Sequence, residues 1–223
     1  MTDRLPLFPL GTVLYPGLLL PLHVFEERYR MLVRDLVDGP ESAQRFGVVA
    51  IREGREVGTD GIDGIRALHP VGCVARLRQV EAYDDGRYDI VATGAQRFRL
   101  GRLETSRPYL QADVDLLPEP AGAEAPVLAR SVAELFNAYR SALTGGSDDG
   151  ADGQLPVDPL VLSYLVSAAA ILDLADKQTL LEAPDTTGRL RLALAILRRE
   201  VAMLRLLPSL PAVDLPRTPV SPN

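Results

Sequence analysis

The chain has 223 residues, of which 47% are hydrophobic and 24% charged; these ordinary proportions exclude wholesale disorder and a membrane-embedded protein, and leave room for one large domain or two small ones with a real core. Its formal net charge of -6 is spread over both halves, so no strong positive field exists to release counterions from a phosphate backbone, and nucleic acid is disfavoured as the main partner. Lys177, the lone lysine, sits between Asp176 and Gln178 and excludes a P-loop, while the lone cysteine, Cys73, excludes an internal disulfide or a cysteine metal cluster and suits a reducing cytoplasm.

Residues 4–22, RLPLFPLGTVLYPGLLLPL, hold apolar residues between regularly placed prolines and glycines. Pro6, Pro9, Gly11, Pro16, Gly17 and Pro21 forbid a helix or a signal peptide and predict two short strands around a turn. From Val24 to Asp38 the period becomes helical, with Phe25, Tyr29, Leu32, Val33 and Leu36 on one face, until Gly39 and Pro40 stop the helix. Phe25 and Tyr29 are therefore expected in the core. FGVVAI at 46–51 reads as a strand, and the glycine- and charge-rich stretch to Leu68 as a loop or irregular hairpin. Val71 to Tyr83, the turn Asp84-Asp85-Gly86, and Arg87 to Thr93 form a β-hairpin pattern. Alternation then predicts half-buried strands at Phe98 and Leu100 and at Leu110 to Leu116.

After Pro118 alanine and leucine at helical spacing take over, which places a subdomain boundary at 118–125. Helices are predicted near 126–143, 158–173, 174–183 and 186–207, with TGGSDDGADGQ at 144–154 as a flexible loop. The apolar run from Leu160 to Leu172 would be about 20 Å long as a helix, too short for a bilayer core of about 30 Å, so no membrane partner is expected. The last helix carries Leu190, Leu194, Leu197, Val201 and Leu204 on a packing stripe, with Arg191, Arg198 and Arg205 off it. Five prolines between Pro208 and Asn223 predict a disordered or extended tail. The expected organisation is thus a strand-rich unit over 1–118, a helical bundle over 119–207 and a tail over 208–223.

Three sequence blocks carry a family resemblance. LPLFPLGTVLYPGLLLPLHVFEERYRMLV resembles the entry segment of the Lon N-terminal domain family, with its LPLFPL, its YPG turn, its PLH-x-FE residues and its RY. VGCVARLRQVEAYDDGRYDIVATGAQRFRL is similar to that family's VG-x-x-A strand, DG-R-Y hairpin and G-x-x-RF strand, and LSYLVSAAAILDLADKQTLLE resembles its helical part. Together they span about residues 4–207, and several blocks in the right order are more specific than any one motif. The resemblance implies an α+β fold: a PUA-like β pseudo-barrel with one inserted helix, followed by a C-terminal α-helical bundle, as in the Lon-like part of cereblon. It also implies a non-catalytic, cytoplasmic module that binds unfolded or hydrophobic protein segments in a groove between barrel and helices, as an adaptor to a protease, with neither cofactor nor metal. The ATPase and Ser-Lys protease modules of complete Lon proteases are absent from the chain. Oligomeric state is left open.

Candidate residues are few. Leu14, Tyr15, Pro16 and Leu18 lie on a turn that prolines and a glycine force outward, where large apolar side chains could take an apolar segment; the competing reading folds Tyr15 and Leu18 back onto the barrel. Lys177 could serve a Ser-Lys reaction with Ser163 or Ser167, but Asp173 and Asp176 favour its charged, unreactive form, so a surface lysine is expected. His23, Glu26 and Arg28 crowd the start of the first helix, where His23 is expected to satisfy local backbone groups, and with His69 as the other histidine a two-histidine metal site is disfavoured. Cys73 reads as a small core residue. A PUA-like RNA or small-ligand module would need Arg76, Arg78, Arg97, Arg99 and Arg102 aligned on one barrel face.

Overall fold

Proline and glycine punctuation yields two strands, β1 (Asp3–Leu10) and β2 (Leu19–Val24), in a computed structural model that describes residues 3–52, 67–144 and 154–206. Helix α1 (Glu27–Asp38) buries Tyr29, Leu32, Val33 and Leu36, the positions that its period selects. β3 (Arg45–Ala50), β4 (Val71–Ala82), β5 (Tyr88–Glu104) and β6 (Gln111–Leu116) follow. The sheet order is β2-β5-β4-β3-β1-β6, and β6 also pairs with β5, so β1, β3, β4, β5 and β6 close a ring. Only the β1–β3 pairing is parallel among the described strands.

The ring is not a regular barrel. Register shifts interrupt β4–β5 between Cys73 and Ala75 and between Leu77 and Gln79, and β5–β6 between Leu100 and Leu103. Such bulges bend a strand and let it change partners. That is why two expected strands, one ending at Thr93 and one at Phe98 and Leu100, are a single β5. Its first half pairs with β2 and β4, and its second half with β4 and β6. β2 and the adjoining halves of β4 and β5 therefore lie outside the ring's pairings, as a three-stranded sheet.

Leu5, Leu7, Val49, Val74, Phe98, Leu103, Ala112 and Val114 come from all five ring strands and form one cluster, the inside of the ring. Phe98 is fitted against two glycines. A Cβ on Gly47 or on Gly72 would lie 2.9 or 2.5 Å from its ring. A second cluster joins the packing face of α1 to Phe8, Phe46, Val48, Cys73, Ala75, Ile90 and Ala92, with Phe8 stacked on Tyr29 at 4.1 Å between centroids. Cys73 is fully buried there, and desolvation pushes its thiol up to about 12. The thiolate is the reactive form. A disulfide reagent at about pH 8, near the ordinary thiol range, should therefore leave the native protein unlabelled and label it fully in denaturant; labelling of native protein at the free-thiol rate would contradict this burial.

Helices α2 (Ala125–Leu143), α3 (Pro159–Ala169), α4 (Leu174–Glu182) and α5 (Thr186–Leu206) pack around Val132, Phe136, Leu162, Val166, Leu180, Leu190, Leu197 and Val201. Asp158 caps α3 by accepting from the Val161 N–H, and Asp173 caps α4 through the Asp176 N–H. α3 ends at Ala169, four residues before the expected Asp173. The chain turns there because the Ile171 N–H donates to the Tyr139 hydroxyl and Asp173 already serves the next helix. Residues 145–153 of the loop predicted at 144–154, most of the stretch between β3 and β4, and the tail predicted at 208–223 lie outside the described residues.

Candidate functional site

The strands and the helices meet around Tyr15. Gly17 takes φ +83, its N–H donates to the Gly94 carbonyl at 2.8 Å, and the Gly94 N–H donates to the Leu18 carbonyl at 2.8 Å. Gly94 cannot carry a side chain, since a Cβ would sit 2.2 Å from the Tyr15 carbonyl oxygen. So fastened, the turn sends Tyr15 into the helical core, where its hydroxyl donates to the Lys177 carbonyl at 2.8 Å and its ring lies 6.0 Å from that of Tyr164. Burial raises the Tyr15 hydroxyl well above the ordinary phenol range. Of the two readings of the turn at 14–18, the exposed apolar site is corrected and the folded-back one fits, though Tyr15 enters the helical core instead of lying on the barrel: Leu14 and Tyr15 are 4% and 1% exposed, and Pro16 and Leu18 are half-buried. The proline and glycine do force a bend, but its anchorage on Gly94 turns the large side chains inward.

Beside Tyr15, two fully buried guanidiniums share one carboxylate. Arg97 donates from Nε and Nη2 to Glu119 at 2.7 and 3.2 Å, and from Nη1 to the carbonyls of Leu181 and Ala183 at 2.7 and 2.5 Å. Arg189 donates to the Leu180 carbonyl and the Ser163 hydroxyl at 3.1 Å each, approaches Glu119 at 3.5 Å, and lies 3.9 Å over the Tyr164 ring. Desolvation lowers the Arg189 pKa from its ordinary value. From the other side, Gln178 donates to the Val71 carbonyl at 2.9 Å. Where these groups meet, the space between strands and helices is a filled joint and not a groove. None of Arg97, Glu119 and Arg189 was singled out from sequence as part of a joint. Arg189 carried a signal, because it stands on the buried stripe with Ala193 and Ile196.

The joint also corrects the arginine face. Arg97 is 1% exposed, while Arg76, Arg78, Arg99 and Arg102 remain on the surface. Residues 97 and 98 are both buried, so the alternation assumed for RFRL breaks there. Ser163 and Ser167 are buried as well, with their hydroxyls donating to the Leu160 and Ser163 carbonyls at 2.7 Å each. Both donate to backbone, and Lys177 enters the joint through its carbonyl.

Exposed large apolar side chains are spread over the surface, with Val127, Val157, Ile171 and Leu206 in the helical part and two at the ends of β2. Leu19 and Phe25 are 68% and 63% exposed. Phe25 was expected in the core, but α1 begins only at Glu27, so Phe25 sits ahead of the helix and off its packing face. Tyr29 is buried as expected. His23 is corrected too: its Nδ1 lies 2.6 Å from Asp89 Oδ1, a side-chain partner across the β2–β5 pairing. The Tyr83 hydroxyl donates to Asp89 Oδ2 at 2.6 Å, and this bond, followed by that from His23, lowers the Asp89 pKa. Among the described residues, no group of three or more His, Cys, Asp or Glu side chains could hold a metal ion.

The order of elements, the ring with its outlying sheet and the helical part packed behind Tyr15 can be set beside known proteins. The family model described as the ATP-dependent protease La (LON) substrate-binding domain matches residues 4–199. The chain belongs to that family. This Lon-type domain is 30% identical over 213 residues to Lon protease 2 of Myxococcus xanthus, covering 91% of the chain and 24% of that protein. It is 28% identical to Lon protease of Escherichia coli strain K12, covering 91% and 25%. It thus spans about a quarter of the length of these curated relatives. Two solved structures share the fold. The Lon N-terminal domain protein from Xanthomonas campestris aligns with TM-score 0.61 and 24% identity over 86% of this chain and 98% of that one. The N-terminal domain of the Mycobacterium avium complex Lon protease aligns with TM-score 0.64 and 22% identity over 90% and 98%. No helix among the described residues of the Lon-type domain is long and apolar enough to cross a membrane.

Proposed function

We propose that this Lon-type domain is a non-catalytic recognition module that binds unfolded or exposed hydrophobic segments of other proteins and acts as an adaptor that presents them to a protease. Membership of a substrate-binding family supports binding of protein. The observation that supports a place for it is the exposure of two large apolar side chains, Leu19 and Phe25, at the two ends of the outlying strand β2. The two stand at opposite ends of β2, about 20 Å apart at the rise of an extended strand, so the occupant they suit is an extended apolar segment and not a compact apolar group. In this reading the turn at Leu14 and Tyr15 acts indirectly, by fastening β2 to the helices, while Pro16 and Leu18 border the surface.

The test is a fluorescence titration against a permanently unfolded polypeptide such as reduced, carboxymethylated lactalbumin. Phe25→Ser should weaken binding about tenfold, the effect of losing one well-buried apolar contact, and should leave the melting temperature unchanged because Phe25 supports no core. Absence of binding by the unaltered protein to any unfolded polypeptide would overturn the proposal.

A further inference from the structure

β2 pairs with β5 and with no other described strand, so it is a sheet edge. The Gly94 N–H donates to Leu18 O, and the register sets Leu20 opposite Ala92 and Leu22 opposite Ile90. Backbone groups alternate in direction along an antiparallel strand. Leu18, Leu20 and Leu22 therefore turn theirs toward β5, and Leu19, Pro21 and His23 turn theirs away. The free edge offers the N–H groups of Leu19 and His23 and the carbonyls of Leu19, Pro21 and His23, in the spacing that an added strand would use. Their side chains share the exposed face: Leu19 and Pro21 make an apolar strip beside half-buried Val91, with Phe25 just beyond the strand.

We infer that the β2 edge is a strand-addition site that takes an extended apolar segment of another protein, with a basic residue placed toward Phe25. The inference rests on the polypeptide-binding reading above and deepens it. Two features choose this occupant over a second copy of the chain. Pro21 stands at the middle of the edge, and in an antiparallel pairing of two β2 strands centred there it would face itself, with no N–H on either side. A segment of different sequence still meets both available donors and every acceptor. Charge decides the direction. At the Phe25 end the acids Glu26, Glu27, Glu81, Asp84, Asp85 and Asp89 outnumber the bases Arg28, Arg30 and Arg87, whose guanidiniums are already paired with Glu26, Glu27 and Asp85. Arg76 and Arg78 lie at the other end, beside Thr93 opposite Leu19. Such a surface favours a cation at one end of a bound strand and repels it from the other.

The experiment measures binding of the full chain to a labelled peptide of alternating valine and threonine ending in two lysines, beside carboxymethylated lactalbumin. Two further peptides carry N-methyl groups on one or the other alternate set of amides. One methylated set should weaken binding about tenfold or more, since each added-strand bond contributes modestly and several are lost, while the other set binds as the parent does. Replacing the lysines by glutamates should weaken it severalfold. Leu19→Lys should weaken it with an unchanged melting curve, and Val127→Lys, equally exposed on α2, should not. If both methylated sets bind like the parent, or if lactalbumin binds and the parent peptide does not, the edge inference fails and polypeptide binding stands. If neither binds, both fail.

Discussion

Glu119→Gln is expected to destabilise the protein by about 3–5 kcal/mol, the range for removing one partner of a buried ion pair. The reason is the joint. Arg97 and Arg189 are 1% and 0% exposed, and Glu119 is the carboxylate that both approach. Glutamine keeps the shape but leaves two guanidiniums in a low dielectric with carbonyl, hydroxyl and aromatic partners only. Denaturant unfolding followed by circular dichroism measures the loss. Combining Glu119→Gln with Arg189→Met should recover part of it, because one of the stranded charges is removed along with its desolvation cost. A Glu119→Gln protein as stable as the parent would mean that the carboxylate does not hold the joint. Because the joint also fixes the turn that leads into β2, the variant should show faster hydrogen exchange at Gly17 and Gly94, whose amides tie that turn.

Phe98→Ala is expected to cost about 3–5 kcal/mol, as for other large aromatic truncations in a core. Phe98 is fully buried at the centre of the ring, and its neighbours cannot close the gap cheaply. Gly47 and Gly72 face it with no side chain to swing inward, and the Gly72 position is pinned within 2.4 Å, measured from where its Cβ would be, of the Val48 carbonyl oxygen on the adjoining strand. The converse substitution also fails. Gly72→Ala would push a methyl group into backbone as well as toward Phe98, so adding it to Phe98→Ala cannot refill the space without moving β3. Thermal unfolding of Phe98→Ala with a melting temperature within a degree or two of the parent, as expected for a surface change of under about 0.5 kcal/mol, would contradict this account of the ring.

The two effects fall on residues whose roles were unequally legible in the chain. Phe98 alternates with arginines in RFRL and reads as a core side chain at once. The glycines that shape its site do not, because a glycine signals a missing side chain without saying which neighbour occupies the space. Glu119 sits just past Pro118 in what reads as a connector, and its partners are 22 and 70 residues away. No local pattern announces a contact of that range. Similarly, Tyr15 belongs to a proline-glycine turn, and turn chemistry fixes a bend but not which way its side chains end up. Its burial follows from Gly94, which admits the Tyr15 carbonyl closely enough for the turn to lie down on β5. Phe25 went the other way. Its spacing fits the face of α1, yet the helix starts two residues later, and the face argument does not reach it.

By itself, then, the sequence determined the kind and order of the elements, since prolines, glycines and apolar period act over a few neighbouring residues, and three separated blocks carried the family. It also determined that cysteine and lysine chemistry would be scarce. Tertiary structure alone decided that Arg97 and Arg189 would share Glu119, that Tyr15 would bridge strands and helices, and that β2 would be left as an edge with Leu19 and Phe25 in water. Those outcomes depend on which distant backbones can approach each other, and on how much burial a charge or ring gains when they do, quantities that appear only once the chain has closed on itself.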